Sequence, residues 1–192
     1  MFPAAEMLLA FLFLSTCANP FSTREPEPPS NAQAAWIQPV SPEIVFDNFE
    51  AAIREKNVEN YLRCFGASES VRAGFRFVPE LSIANNYQDL FVDWNITRER
   101  NYINNLFTLL PSDSVSSLIL TPVTESQFGD SVRAAKDYDL FIAHTKTSVN
   151  RQLIGRMDVT LRKGADALWY ISYWADFKTG EFHVWSKLKA EF

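Results

Sequence analysis

Between Gln152 and Lys163 the chain alternates without a break, with Leu153, Gly155, Met157, Val159 and Leu161 on one side and Ile154, Arg156, Asp158, Thr160 and Arg162 on the other. Successive side chains of a strand point to opposite faces, so this pattern belongs to a long β-strand with one apolar and one wet face. Such a strand needs partners, because its apolar face must be covered and its backbone paired. Ser116 to Val123, Ser131 to Lys146 and Leu168 to Phe177 have the length and residue types of those partners. Lys163-Gly164-Ala165-Asp166 is a short turn that joins the last two strands as a hairpin.

The cover comes from upstream. Ser41-Pro42-Glu43 opens a helix with a cap residue and a proline in the first turn, and Val45, Phe49, Ala52 and Ile53 recur at helical spacing. Asn57 caps a second helix carrying Val58, Tyr61, Leu62 and Phe65, which Gly66 stops. Phe75 to Val78 is extended, and Asn95 caps a third helix with Tyr102, Ile103, Leu106, Phe107 and Leu110 as its stripe. Helices followed by a long meander predict an α+β fold, with N-terminal helices packed on one face of a curved antiparallel sheet across residues 40–192.

The first 39 residues read differently. Met7 to Leu14 is an uncharged run of eight residues, far short of the roughly 20 needed to span a bilayer. It has the length of a signal-peptide core. Leu14-Ser15-Thr16-Cys17 follows it directly and resembles the lipobox of bacterial lipoproteins, with Thr16 standing where Gly, Ala or Ser is usual. That resemblance implies a signal peptide over residues 1–16, a lipid on Cys17, and a membrane-tethered protein of the cell envelope. Ala18 after the cysteine implies the outer membrane, facing the periplasm. Residues 17–39 are rich in proline and polar side chains, the composition of a disordered tether.

Charge and cysteine content narrow the function classes. With 18 Lys and Arg against 23 Asp and Glu, the net charge of −5 carries no footprint of a nucleic-acid partner. Two cysteines in different surroundings do not make a disulfide framework. Cys64, within Tyr61-Leu62-Arg63-Cys64-Phe65, reads as a small buried hydrophobe. No metal or cofactor is expected: His144 and His183 lack ligand-spaced neighbours, and there is no phosphate loop, nucleophile elbow or metallohydrolase helix.

The order of elements, together with Asn48-Phe49-Glu50-Ala51-Ala52-Ile53, Asn60-Tyr61-Leu62, Trp94, Glu99-Arg100-Asn101-Tyr102, Leu106-Phe107, Trp169-Tyr170-Ile171, Trp174-Ala175-Asp176 and Trp185-Ser186-Lys187-Leu188-Lys189, resembles the NTF2-like (SnoaL-like, cystatin-like) superfamily, including lipoproteins of uncharacterised function. The resemblance implies a cone, with the sheet wrapped around a long helix. That frame hosts isomerases, dehydratases, binding proteins and inert scaffolds, so it does not name a function.

Within such a cone Trp94, Tyr102, Phe141, Trp169 and Tyr173 either wall an apolar pocket or fill the interior as core. Two functions remain open. One is a non-catalytic envelope domain that binds a small apolar ligand or a protein partner. The other is a small ketosteroid-isomerase-like isomerase or hydro-lyase, which would need an acid and a tyrosine converging in the cone. Asp139, Asp158 and Asp176 are the acids on offer, with Tyr102, Tyr138 and Tyr173. The alternation turns Asp158 toward water, and no motif assigns a catalytic residue. His144 is a candidate base only if it faces the cavity, and Trp185 is expected as a lid over the sheet edge.

Overall fold

The computed structural model describes residues 36–66 and 74–192. The chain divides into two units, residues 1–32 and 33–192. The expected signal peptide, the lipid site at Cys17 and most of the tether lie outside the described residues.

Helix α1 (Pro42–Arg54) starts at Ser41, with Pro42 in its first turn, and buries Val45, Phe46, Phe49, Ala52 and Ile53. Helix α2 (Val58–Arg63) is capped by Asn57, whose side chain accepts from the Asn60 N–H. A three-residue strand β1 (Arg76–Val78) and a short exposed helix α3 (Leu81–Asn86) follow. Helix α4 (Ile96–Thr108) starts at Asn95, which accepts from the amides of Thr97 and Arg98. These caps satisfy amides that the first helical turn leaves without intrahelical partners.

Four long strands then form the expected antiparallel meander: β2 (Ser117–Phe128), β3 (Ser131–Phe141), β4 (Gln152–Lys163) and β5 (Trp169–Phe177). Their order, β1-β5-β4-β3-β2, follows the chain except for β1, which pairs in parallel with β5 and makes the sheet mixed. Strand β2 runs five residues further than its sequence pattern suggests, because Gly129 and Asp130 form a two-residue turn with Gly129 at φ +57°. That left-handed position suits a residue without Cβ and returns the chain in register, Phe128 opposite Ser131. Strand β3 stops at Phe141, so the last five residues of the expected strand lie in the connection to β4.

Along β4 buried and partly exposed residues alternate from Gln152 to Leu161, and Leu153, Gly155, Met157, Val159 and Leu161 are the buried ones. The core lies between that face and helices α1, α2 and α4. Phe49 is its centre, with ring centroids 5.1 Å from Tyr61, 5.9 Å from Phe65 and 5.7 Å from Trp185. The chain is held from Trp36 onward: the Trp169 N–H donates to the Pro39 carbonyl, and Asn48 exchanges hydrogen bonds with the Ile37 backbone. A last helix, α5 (Trp185–Glu191), buries Trp185, Ser186, Leu188 and Lys189.

Candidate functional site

Helix α5 carries Trp185, Leu188 and Lys189 on one face, and they are 0%, 0% and 1% exposed. They pack into the interior with Phe49, Phe77 and Trp174. Trp185 is thus a central core residue rather than a lid: its ring packs 4.7 Å from Trp174, and its indole N–H donates to the Tyr102 hydroxyl at 2.9 Å.

Lys189 reaches furthest in. Its ammonium lies 4.4 Å from the Phe77 and Trp174 ring centres, 4.6 Å from Tyr102 and 5.4 Å from Trp94. The Glu99 carboxylate, fully buried in the first turn of α4, accepts hydrogen bonds from this ammonium, from the Tyr61 hydroxyl at 2.5 Å and from the Trp94 indole at 2.6 Å. Ring faces and a carboxylate together replace the lost hydration of the cation. Burial still pulls the lysine down to about 8, with Glu99 working in the opposite direction.

Asp176, on the inner face of β5, forms a second buried polar group. It accepts from the Tyr138 hydroxyl at 2.7 Å and from both the backbone amide and the hydroxyl of Ser186. Tyr138 in turn accepts from the Trp185 amide at 2.7 Å. Val184, the residue before α5, has no side chain able to cap it, so a strand carboxylate and a strand tyrosine serve its first two amides. Burial pushes the acid up to about 6, against the pull of Ser186, Tyr138 and Lys189. Gly155 makes room for this arrangement: a Cβ there would stand 2.5 Å from the Tyr138 hydroxyl oxygen and 2.7 Å from the Phe177 carbonyl oxygen.

The five aromatic residues singled out in the sequence do not line one cavity. Trp94 and Tyr102 adjoin, 6.4 Å between centroids, and border a pocket of about 310 Å³ between α4 and α5. Lys189, Arg98, Asn101, Asn105 and the C-terminal Phe192 complete its wall. Trp169 is a buried core residue at the start of β5, and Phe141 is half-buried at the end of β3. Tyr173 points to the other face of the sheet, where all five strands line a groove of about 1000 Å³.

Of the candidate acids, Asp139 is exposed and bonded to Gln152, and Asp158 lies on the outer face as the alternation requires. His144 is buried beyond the end of β3, with Nε2 against the Asn150 carbonyl oxygen at 3.3 Å and Phe192 beside its ring. Burial lowers its affinity for a proton. Among the described residues no cluster of three or more His, Cys, Asp or Glu could hold a metal ion, and no helix is long and apolar enough to cross a membrane.

Glu99 and Lys189 were not among the expected site residues, although the pattern carries a signal for both. Glu99 falls on the stripe Glu99, Tyr102, Ile103, Leu106, and Lys189 on the stripe Trp185, Leu188, Lys189, Phe192. A charge in line with an apolar helical face signals a buried ion or a site.

No family model matches the sequence, and no curated protein matches it. Solved structures do. An NTF2-like superfamily protein from Salmonella enterica serovar Typhimurium superposes with a TM-score of 0.53 at 12% identity, covering 71% of this chain and 87% of that one. A conserved protein from Planctomyces limnophilus gives 0.55 at 8% identity, covering 70% and 91%. An NTF2-like family protein from Streptomyces avermitilis, provisionally named a dehydratase, gives 0.51 at 11% identity, covering 72% and 94%. At such identities the likeness concerns the fold and not an activity. The described domain has the NTF2-like cone fold, an α+β arrangement of helices against a curved, unclosed five-stranded mixed sheet.

Proposed function

We propose that the chain is a lipid-tethered, non-catalytic binding domain of the cell envelope that takes its partner on its exterior rather than inside the cone. One observation carries the reading: the cone interior is occupied by Trp185, Leu188 and Lys189 of the chain's own last helix. An apolar molecule seated there would have to displace a fully buried tryptophan and strip a cation from its carboxylate.

The acid and tyrosine that an isomerase needs are present as Asp176 and Tyr138. Both Asp176 oxygens and the Tyr138 hydroxyl are already engaged, with Ser186, Trp185 and each other. A general base must reach the proton it removes, and this pair reaches only its own helix. The run Met7 to Leu14 with Cys17 behind it supports the tether.

Two measurements test the reading. Mass spectrometry of the membrane fraction should find residues 1–16 removed and Cys17 acylated, with Cys17→Ala released to the soluble fraction. An unmodified Cys17 still joined to its leader in exported protein sinks the tether. An anilinonaphthalene dye should stay dark on the native protein; bright stoichiometric binding, displaced by an apolar competitor, would return the ligand to the cone.

A further inference from the structure

The outer face of the sheet carries a polar row that the fold does not use. In register across four strands stand Arg76 opposite Tyr173, Tyr173 opposite Thr160, and Thr160 opposite Arg133. Arg162 lies two residues beyond Thr160 on the same face, and all five side chains line the groove of about 1000 Å³. Arg76 and Arg133 are three strand spacings apart, roughly 14 Å between backbones. An oxyanion above the Thr160 and Tyr173 hydroxyls therefore lies between two guanidinium groups.

The pairing distinguishes this face from an ordinary solvated one. Arg156 shares strand and face with Arg162 and is tied to Asp137 at 2.7 Å. Arg76, Arg133 and Arg162 have no ion-pair or side-chain hydrogen-bond partner among the described residues. In a chain of net charge −5, three unpaired arginines in one groove form a local positive field. The groove is also lined by Asp158, a carboxylate acceptor on the same face of β4.

We infer that this groove binds a hydroxylated organic anion, a carboxylate or phosphate carried on a polyol, with the anionic end on Arg76, Arg133 and Arg162 and a neighbouring hydroxyl donating to Asp158. Guanidinium forks match the two oxygens of a carboxylate or phosphate, and the groove volume suits a small molecule. The assignment rests on the reading of the domain as an exterior binding module and supplies its ligand class.

Calorimetric titration of the full-length protein in detergent tests it, with D-glucuronate, glucose 6-phosphate, glucose and inorganic phosphate as probes. Glucuronate or glucose 6-phosphate binds at least tenfold more tightly than glucose or inorganic phosphate, and the stronger of the two identifies the head group. The Arg133→Gln/Arg162→Gln protein loses at least tenfold in affinity with its melting temperature unchanged. Asp158→Ala removes the advantage of the polyol anion over inorganic phosphate. Absence of binding by both polyol anions, or unchanged affinity in the double variant, overturns the assignment. Were that to happen with Cys17 still acylated and the protein still in the membrane fraction, the tethered-domain reading would stand and only the ligand would fall.

Discussion

The ammonium of Lys189 and the carboxylate of Glu99 form an ion pair in which neither side chain has any exposed surface. They come from α5 and α4 and meet 90 positions apart in sequence. Removing one partner leaves the other charge without compensation. Lys189→Met should therefore cost about 3–5 kcal/mol, and adding Glu99→Gln should recover part of that loss. Urea denaturation of the two single variants and the double variant measures the coupling; a cost below about 1 kcal/mol for Lys189→Met would show the pair to be dispensable.

Asp176 gives the fold a pH signature. Its folded value of about 6 lies above the ordinary 3.8, so the stability it contributes is complete below the ordinary value and is lost as pH rises through about 6. The stability advantage of the native chain over Asp176→Asn should shrink by on the order of 3 kcal/mol between about pH 4 and about pH 7. Paired denaturation curves across that window check it. A difference that is flat with pH would mean that the carboxyl titrates normally.

Gly155 admits no side chain. In Gly155→Ala the new methyl group meets a backbone oxygen as well as the Tyr138 hydroxyl, and a backbone oxygen cannot swing aside. A loss of roughly 1–3 kcal/mol is expected. Adding Tyr138→Phe should not restore it, because the Phe177 carbonyl oxygen and the ring Cζ remain 2.7 and 2.8 Å from the methyl position while Asp176 and the Trp185 amide lose a partner. Thermal melts of the three proteins decide the point, and full restoration would place the whole clash on the hydroxyl.

Cys64 should be chemically silent. Its thiol is fully buried, and burial holds it well above the ordinary thiol range, where almost no thiolate forms. In the Cys17→Ala protein a disulfide exchange reagent should react with Cys64 only as fast as the chain unfolds. Rapid labelling in native buffer would show the α2 region to open locally.

Much of the architecture was written in local periodicity. The strict alternation over Gln152–Lys163 specified β4 residue by residue, and Asn57 and Asn95 announced the starts of α2 and α4. Strand ends were less legible. The reach of β2 to Phe128 depends on the turn at Gly129, and the early end of β3 on the connection that follows it. The parallel addition of β1 beside β5 leaves no trace in either segment, because a strand's own pattern does not name its neighbour.

What the sequence alone determined is α1, α2, α4, the four long strands and the face each of them buries, since these follow from spacings of two to four residues along one segment; the short helices α3 and α5 were not anticipated. Tertiary structure decided the fate of the interior and of the sheet's other side. Lys189 became the occupant of the cone, Asp176 and Tyr138 became the cap of α5, and Arg76, Arg133 and Arg162 were left facing one groove. The physical reason is the same in each case: a buried charge or an unpaired guanidinium is defined by what stands opposite it, and those partners come from distant parts of the chain.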